Sequence, residues 1–175
     1  MIGDTFADIK ELACKDVHLV AKALPDDFHF NAATLINPLA KAMTHQQKKV
    51  RLTCIQAVGC VIQHSGFDQF QLVASHLAQR LFDPVPAVRL CVSSVAANLL
   101  LHWRCAYSCC AILIPLLLTN LEDETPSVKD EAWKLWNQVG KHWVQDEVTR
   151  DDKLKEQLDF QGAEEPPTHY PTDSE

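Results

Sequence analysis

The chain is poor in glycine, with only five in 175 residues. Nowhere does it alternate Val, Ile or Thr with polar residues. Both absences exclude a β architecture, which needs alternating strands and frequent tight turns. Long apolar runs are missing too. The longest, CCAILIPLLL, has ten residues and contains a proline, too short to cross a bilayer. Asp4 and Asp8 stand where a secretory leader needs a positive segment and then an apolar core. The chain is therefore expected to be soluble and cytoplasmic, with no membrane partner.

Signatures of chemistry are equally scarce. There is no glycine-rich phosphate loop, no G-x-S-x-G and no H-E-x-x-H. Asp26, Asp27 and His29, and likewise Glu122, Asp123 and Glu124, cluster in expected turns without a companion base. The histidines at 18, 64, 76, 142 and 169 are dispersed. HWRCAYSCC brings His102, Cys105, Cys109 and Cys110 close in sequence, but no C-x-x-C pair completes a zinc site. The seven cysteines read as reduced packing thiols. The expectation is a non-enzyme with no catalytic, cofactor-binding or metal residues.

Charge of one sign is absent from most of the chain. Residues 1–144 carry 13 acids and 13 bases, whereas residues 145–175 carry ten acids against three bases. A neutral body with an acidic end offers phosphate no basic stripe, so no nucleic-acid partner is expected.

What is present is a repeat. Val50-Arg51, Val88-Arg89 and Val128-Lys129 follow one another at steps of 38 and 40 residues, a period typical of two-helix repeats. Four residues after each valine stand Cys54, Val92 and Ala132, then Ala57, Val95 and Leu135, then Val61, Leu99 and Val139. That spacing is one helix face. Upstream, Met43, Leu81 and Leu121 share an offset, as do Leu39, Leu77 and Leu117, and Ile36, Ala74 and Ile114. His45, Asp83 and Asp123 occupy the turn between the two stripes. Each unit reads as helix A, a polar turn and helix B, over about 31–64, 67–103 and 106–143. Residues 5–24, with Ile9-Lys10 and then Ala13, Val17 and Val20, read as a helix B without a helix A. The chain is thus expected to be a fragment of a longer solenoid, packing on neighbouring repeats.

Asp83 is placed to cap a helix, and Pro86 and Pro126 suit a first turn that needs no N–H. Trp133, Trp136 and Trp143 crowd the last helix B, Trp136 beside the core stripe and Trp133 off it. Beyond residue 144 the periodicity ends. DEVTRDDKLKEQLDF could make a short acidic helix, and GAEEPPTHYPTDSE reads as a disordered tail.

The turn aspartate with Val-Arg of helix B resembles the HEAT repeat. Pro38 and Pro115 inside helix A are similar to that family's bent first helix. The resemblance implies an all-α, right-handed α-solenoid of helix pairs. It also implies a structural ladder of Asp83 and Asp123 with Arg51, Arg89 and Lys129, with His45 breaking the acidic pattern. SHLAQRLFDPVPAVR, LIPLLLTNLEDETPSVK and DKLKEQLDF resemble the HEAT-repeat dynein axonemal assembly factors. That likeness implies a scaffold that preassembles dynein arms for motile cilia. Its partners would be dynein intermediate or heavy chains, chaperones and co-chaperones. Helix-B positions Arg51, Gln56, Gln63, Arg89, Ser93, Lys129 and Lys134 form the candidate partner surface. A general HEAT-repeat adaptor for regulatory or transport complexes is the rival reading.

Overall fold

The computed structural model describes residues 6–162, except the side chains of Lys22, Pro25, Asp26, Asp27, His29 and residues 154–162. All of its regular structure is helical: α1 (Ala7–Ala23), α2 (Pro25–Ala42), α3 (Lys48–Gln63), α4 (Phe67–Arg80), α5 (Pro86–His102), α6 (Ala106–Leu118), a 3-10 turn (Thr119–Glu122) and α7 (Pro126–Gly162). The chain divides into two units, Met1–Val139 and Gly140–Glu175.

In the first unit, α1 packs on α3 and α3 on α5, while α2 packs on α4 and α4 on α6. Helix A and helix B elements therefore form two rows, joined by α2 with α3, α4 with α5, and α5 with α6. The core is the set of repeat columns. Val50, Cys54, Ala57 and Val61 of α3 are fully buried, as are Ile36, Leu39 and Met43 of α2 and its end. Val88, Val92, Val95 and Leu99 line α5, and Leu77, Leu117 and Leu121 continue the helix A stripe. Burying one such Val, Leu or Ile side chain stabilises by about 2 kcal/mol. Ala74, Ile114 and Leu135 are only half-buried. In α1 the buried face is Ala13, Cys14, Val17 and Ala21, and Val20 is exposed with Leu12 and Leu19.

Two boundaries differ from the sequence reading. Helix α2 begins at Pro25, not near 31, because Pro25 occupies its first position and Leu24 alone separates it from α1. Asp26 and Asp27 thus fall in a helical first turn instead of a loop; their side chains and that of His29 lie outside the described residues. The last helix does not stop near 143. It runs on to Gly162, so the segment expected as a separate short acidic helix continues α7. Residues 145–162 are good helix formers with no glycine or proline before Gly162. Residues 1–5 and the expected tail at 163–175 lie outside the described residues.

Close approach of two helix B elements depends on one glycine. A Cβ on Gly59 of α3 would sit 3.0 and 3.1 Å from the two methyl carbons of Val95 on α5. Val95 is β-branched and stiff at χ1, so it cannot swing aside. Gly59→Val is expected to destabilise by about 2 kcal/mol through overpacking. A urea midpoint equal to that of the parent would contradict this packing.

Trp103, which the repeat columns do not flag, closes the first two helix pairs together. It is buried, stands edge-on to Phe70 with centroids 5.4 Å apart, and donates its indole N–H to the Ser65 carbonyl at 3.1 Å.

Candidate functional site: the inter-repeat rungs and the helix B face

Each helix B presents a basic residue one position after its first core valine. Val50 and Val88 point inward, so Arg51 and Arg89 emerge at the edge of the core beside the turn of the next unit. The two arginines make similar contacts, each to a carbonyl of the turn before its own helix and to the aspartate of the next turn. Arg51 Nη1 donates to the carbonyls of His45 (2.9 Å) and Gln46 (2.8 Å) in the turn before its own helix. Its Nη2 donates to Asp83 Oδ1 at 2.8 Å, and its Nε lies 2.7 Å from Oδ2. Arg89 Nη1 donates to the Asp83 carbonyl at 2.9 Å. Its Nε and Nη2 donate to Asp123 Oδ2 and Oδ1, both at 2.7 Å, and Nη2 also reaches Thr125 Oγ1 at 3.0 Å.

A planar guanidinium has the donors for this fork: one edge grips a carboxylate and the remaining nitrogen holds a carbonyl. The pairs are buried. Side-chain exposure is 8% and 1% for Arg51 and Asp83, and 8% and 5% for Arg89 and Asp123. The aspartates do a second task. Asp83 Oδ1 accepts from the Val85 amide at 3.0 Å, and Asp123 Oδ1 from the Thr125 amide at 2.8 Å. Both close the turn two residues on. Asp83 therefore bonds the residue before the helix and does not cap α5 itself, whose N-cap Val85 has no side-chain bond.

His45 takes over that turn task where aspartate is missing. Its Nδ1 accepts from the Gln47 amide at 3.1 Å. His45 offers no carboxylate to Lys10, the basic residue of α1 at the matching position. The turn is kept and the rung is lost. Lys129, at the arginine position of α7, pairs instead with exposed Glu122 at 2.9 Å. A single ammonium cannot fork as the guanidinium does.

Asn120 adds a polar brace that sequence reasoning missed. Its buried Nδ2 donates to the Arg89 carbonyl at 2.9 Å and to Ser93 Oγ at 2.7 Å, and Ser93 donates to the Leu116 carbonyl at 3.3 Å. A serine one helical turn after Arg89 was the only signal in the sequence, and its burial was not legible there.

The structure consequently divides the candidate partner surface. Arg51, Arg89 and Ser93 are buried and are removed from it, because their polar atoms are spent on turns and the next unit. Gln56 and Lys134 are exposed, and Gln63 and Lys129 are half-buried. Trp133 is exposed and Trp136 half-buried. In HWRCAYSCC, Cys109 is buried in α6, and burial pushes its thiol up to about 11. No three His, Cys, Asp or Glu side chains converge as a metal site among the described residues, and no helix there is long and apolar enough to cross a membrane.

The Arg89 hydrogen bonds hold the Asp123 carboxyl below its ordinary value of 3.8, aided by Thr125 and opposed by burial. A carboxylate depressed in the folded state stabilises wherever the unfolded group is ionised, and that contribution is lost as pH falls through the folded value. The parent should therefore lose stability below about pH 4 more steeply than Asp123→Asn, which starts lower at neutral pH. Urea midpoints from pH 7 down to 3 test this. Parallel curves for the two proteins would contradict it.

Consecutive helix pairs, packed in two rows and tied turn to helix by buried arginine–aspartate rungs, define an all-α protein of the helical-repeat class. A family model described as dynein axonemal assembly factor 5-like, TPR repeats, matches residues 1–157, and the chain belongs to that family. It is 42% identical to dynein axonemal assembly factor 5 of Mus musculus, 43% to that of Homo sapiens and 40% to that of Xenopus laevis, each over 96% of this chain. It spans about a fifth of those relatives' length, 19% in each case. No solved structure matches it. The family description speaks of TPR repeats, whereas the turn aspartate and Val-Arg pairs resemble HEAT repeats; both are stacked helix pairs.

Proposed function

We propose that this chain is a non-catalytic scaffold segment of a factor that preassembles axonemal dynein arms in the cytoplasm for motile cilia. The observation that carries the reading is the family match along residues 1–157, with the assembly role stated in the relatives' names. The physical frame supports it. Each unit touches its neighbours, so a right-handed solenoid of HEAT-type pairs offers an extended face and no deep pocket. Large clients are gripped along such a face, with affinity summed over many repeats.

The proposed partners are dynein intermediate or heavy chains with chaperones and co-chaperones, and the proposed surface is Gln56, Gln63, Lys129 and Lys134. Residues 1–144 act as the repeat segment and residues 145–175 as an acidic extension. Neighbouring repeats of a longer protein complete the stack, beginning at the exposed Leu12, Leu19 and Val20 of α1.

The test is loss of the full-length protein in ciliating cells. Cilia should form but not beat, with dynein arms missing and dynein heavy chains depleted from the axoneme. Normal arms and normal beating would overturn the reading and favour a general adaptor.

A further inference from the structure

A groove of about 440 Å³ opens between α1, α3 and α5, lined in part by His18, Gln56, Gly59, Cys60, Cys91 and Asn98. Within it, His18 Nδ1 of α1 lies 2.7 Å from Cys60 Sγ of α3. The two residues are 42 apart in sequence and meet because α1 packs directly on α3. Both are half-buried, so a small reagent can reach them through the groove.

The other thiols stand in different surroundings. Cys14 and Cys54 share a hydrogen bond that lowers Cys14 and, together with burial, raises Cys54; Cys14 is fully buried, which keeps reagents from it. Burial pushes Cys91 up to about 12 and Cys109 up to about 11. Cys105 and Cys110 are half-buried like Cys60, but among the described residues no hydrogen bond joins either to an imidazole. Lys15 and its partner Glu11 lie on α1 near His18, and among the described residues neither α3 nor α5 contributes a charged side chain to the groove lining. The imidazole, 2.7 Å from the sulfur, is placed to take the thiol proton.

We propose that Cys60 is a reactive thiol, modified by hydrogen peroxide and by small soft electrophiles, with His18 as its base. In the Nε2–H tautomer, His18 Nδ1 accepts the proton from Sγ. The thiolate attacks one peroxide oxygen, forming the S–O bond as the O–O bond breaks. The departing hydroxide takes the proton from the imidazolium and leaves as water. Cys60 is then a sulfenic acid, two electrons more oxidised, and a thiol can reduce it back. The modified side chain lies beside Gln56, so oxidation alters the face proposed to bind partners. That consequence rests on the proposed surface; the thiol chemistry does not.

The test uses the whole chain and the iodoacetamide labelling rate of each cysteine at pH 7, read by mass spectrometry. Cys60 should label about tenfold faster than Cys105 and Cys110, because only thiolate reacts. His18→Gln should bring Cys60 down to their rate while leaving Cys14 and Cys54 protected, which reports an intact fold. Brief hydrogen peroxide should add one oxygen at Cys60 before any other cysteine. Equal labelling of Cys60, Cys105 and Cys110 in the unaltered chain overturns the proposal, whatever the variant does. An unchanged Cys60 rate in folded His18→Gln overturns the role of the histidine.

Discussion

Val92→Asp should unfold the central helix pair, lowering stability by about 4 kcal/mol or more, because a carboxylate would be buried without a partner. Val92 is 1% exposed on α5. That helix packs against α3, α4 and α6, so no neighbouring surface can yield to water. The carboxylate can escape only if α5 rotates, which would drag Val88, Val95 and Leu99 out of the core with it. A thermal melt within a degree or two of the parent would contradict the assigned register.

Arg89→Ala is expected to cost about 3–5 kcal/mol, the usual result of breaking a buried ion pair from one side. The loss has three parts. Asp123 keeps its turn amide but loses its charged partner in a site where it is 5% exposed. The Asp83 carbonyl loses a donor. A space opens where the arginine stem packed. Arg89→Lys should fall between parent and alanine, since one ammonium restores charge but not the fork across Asp123 and Asp83. Urea unfolding that ranks lysine with the parent would show that charge alone matters and would remove the geometric account of the rung.

The helix B stripes were legible because their spacing repeats three times, and the columns that set it are the ones buried at Val50, Val88 and Val128. The rung residues were legible through family likeness, but their burial was not. A sequence shows that Arg51 and Arg89 lie next to the stripe; only packing shows that the following turn covers them. The same blind spot hid Asn120, Ser93 and Trp103, whose roles depend on which turn comes within reach. For this reason His18 was read as one of several dispersed histidines and Cys60 as a packing thiol, since 42 residues separate partners that adjacent helices bring together. Local rules failed differently at Pro25 and beyond residue 143. There a first-turn proline and a helix-forming acidic run extended helices where the loss of apolar period suggested an end.

The proposed contact is between the helix B face of the ordered helix pairs and dynein chains. Its most direct measurement is affinity capture from ciliating cells, with mass spectrometry, of the whole chain and of a variant carrying Gln56→Glu, Gln63→Glu, Lys129→Glu and Lys134→Glu. Matched thermal melts would establish that both are folded. The account predicts axonemal dynein heavy or intermediate chains on the parent and their loss from the variant. Recovery of no dynein chain on the parent, or equal recovery on both, would contradict it.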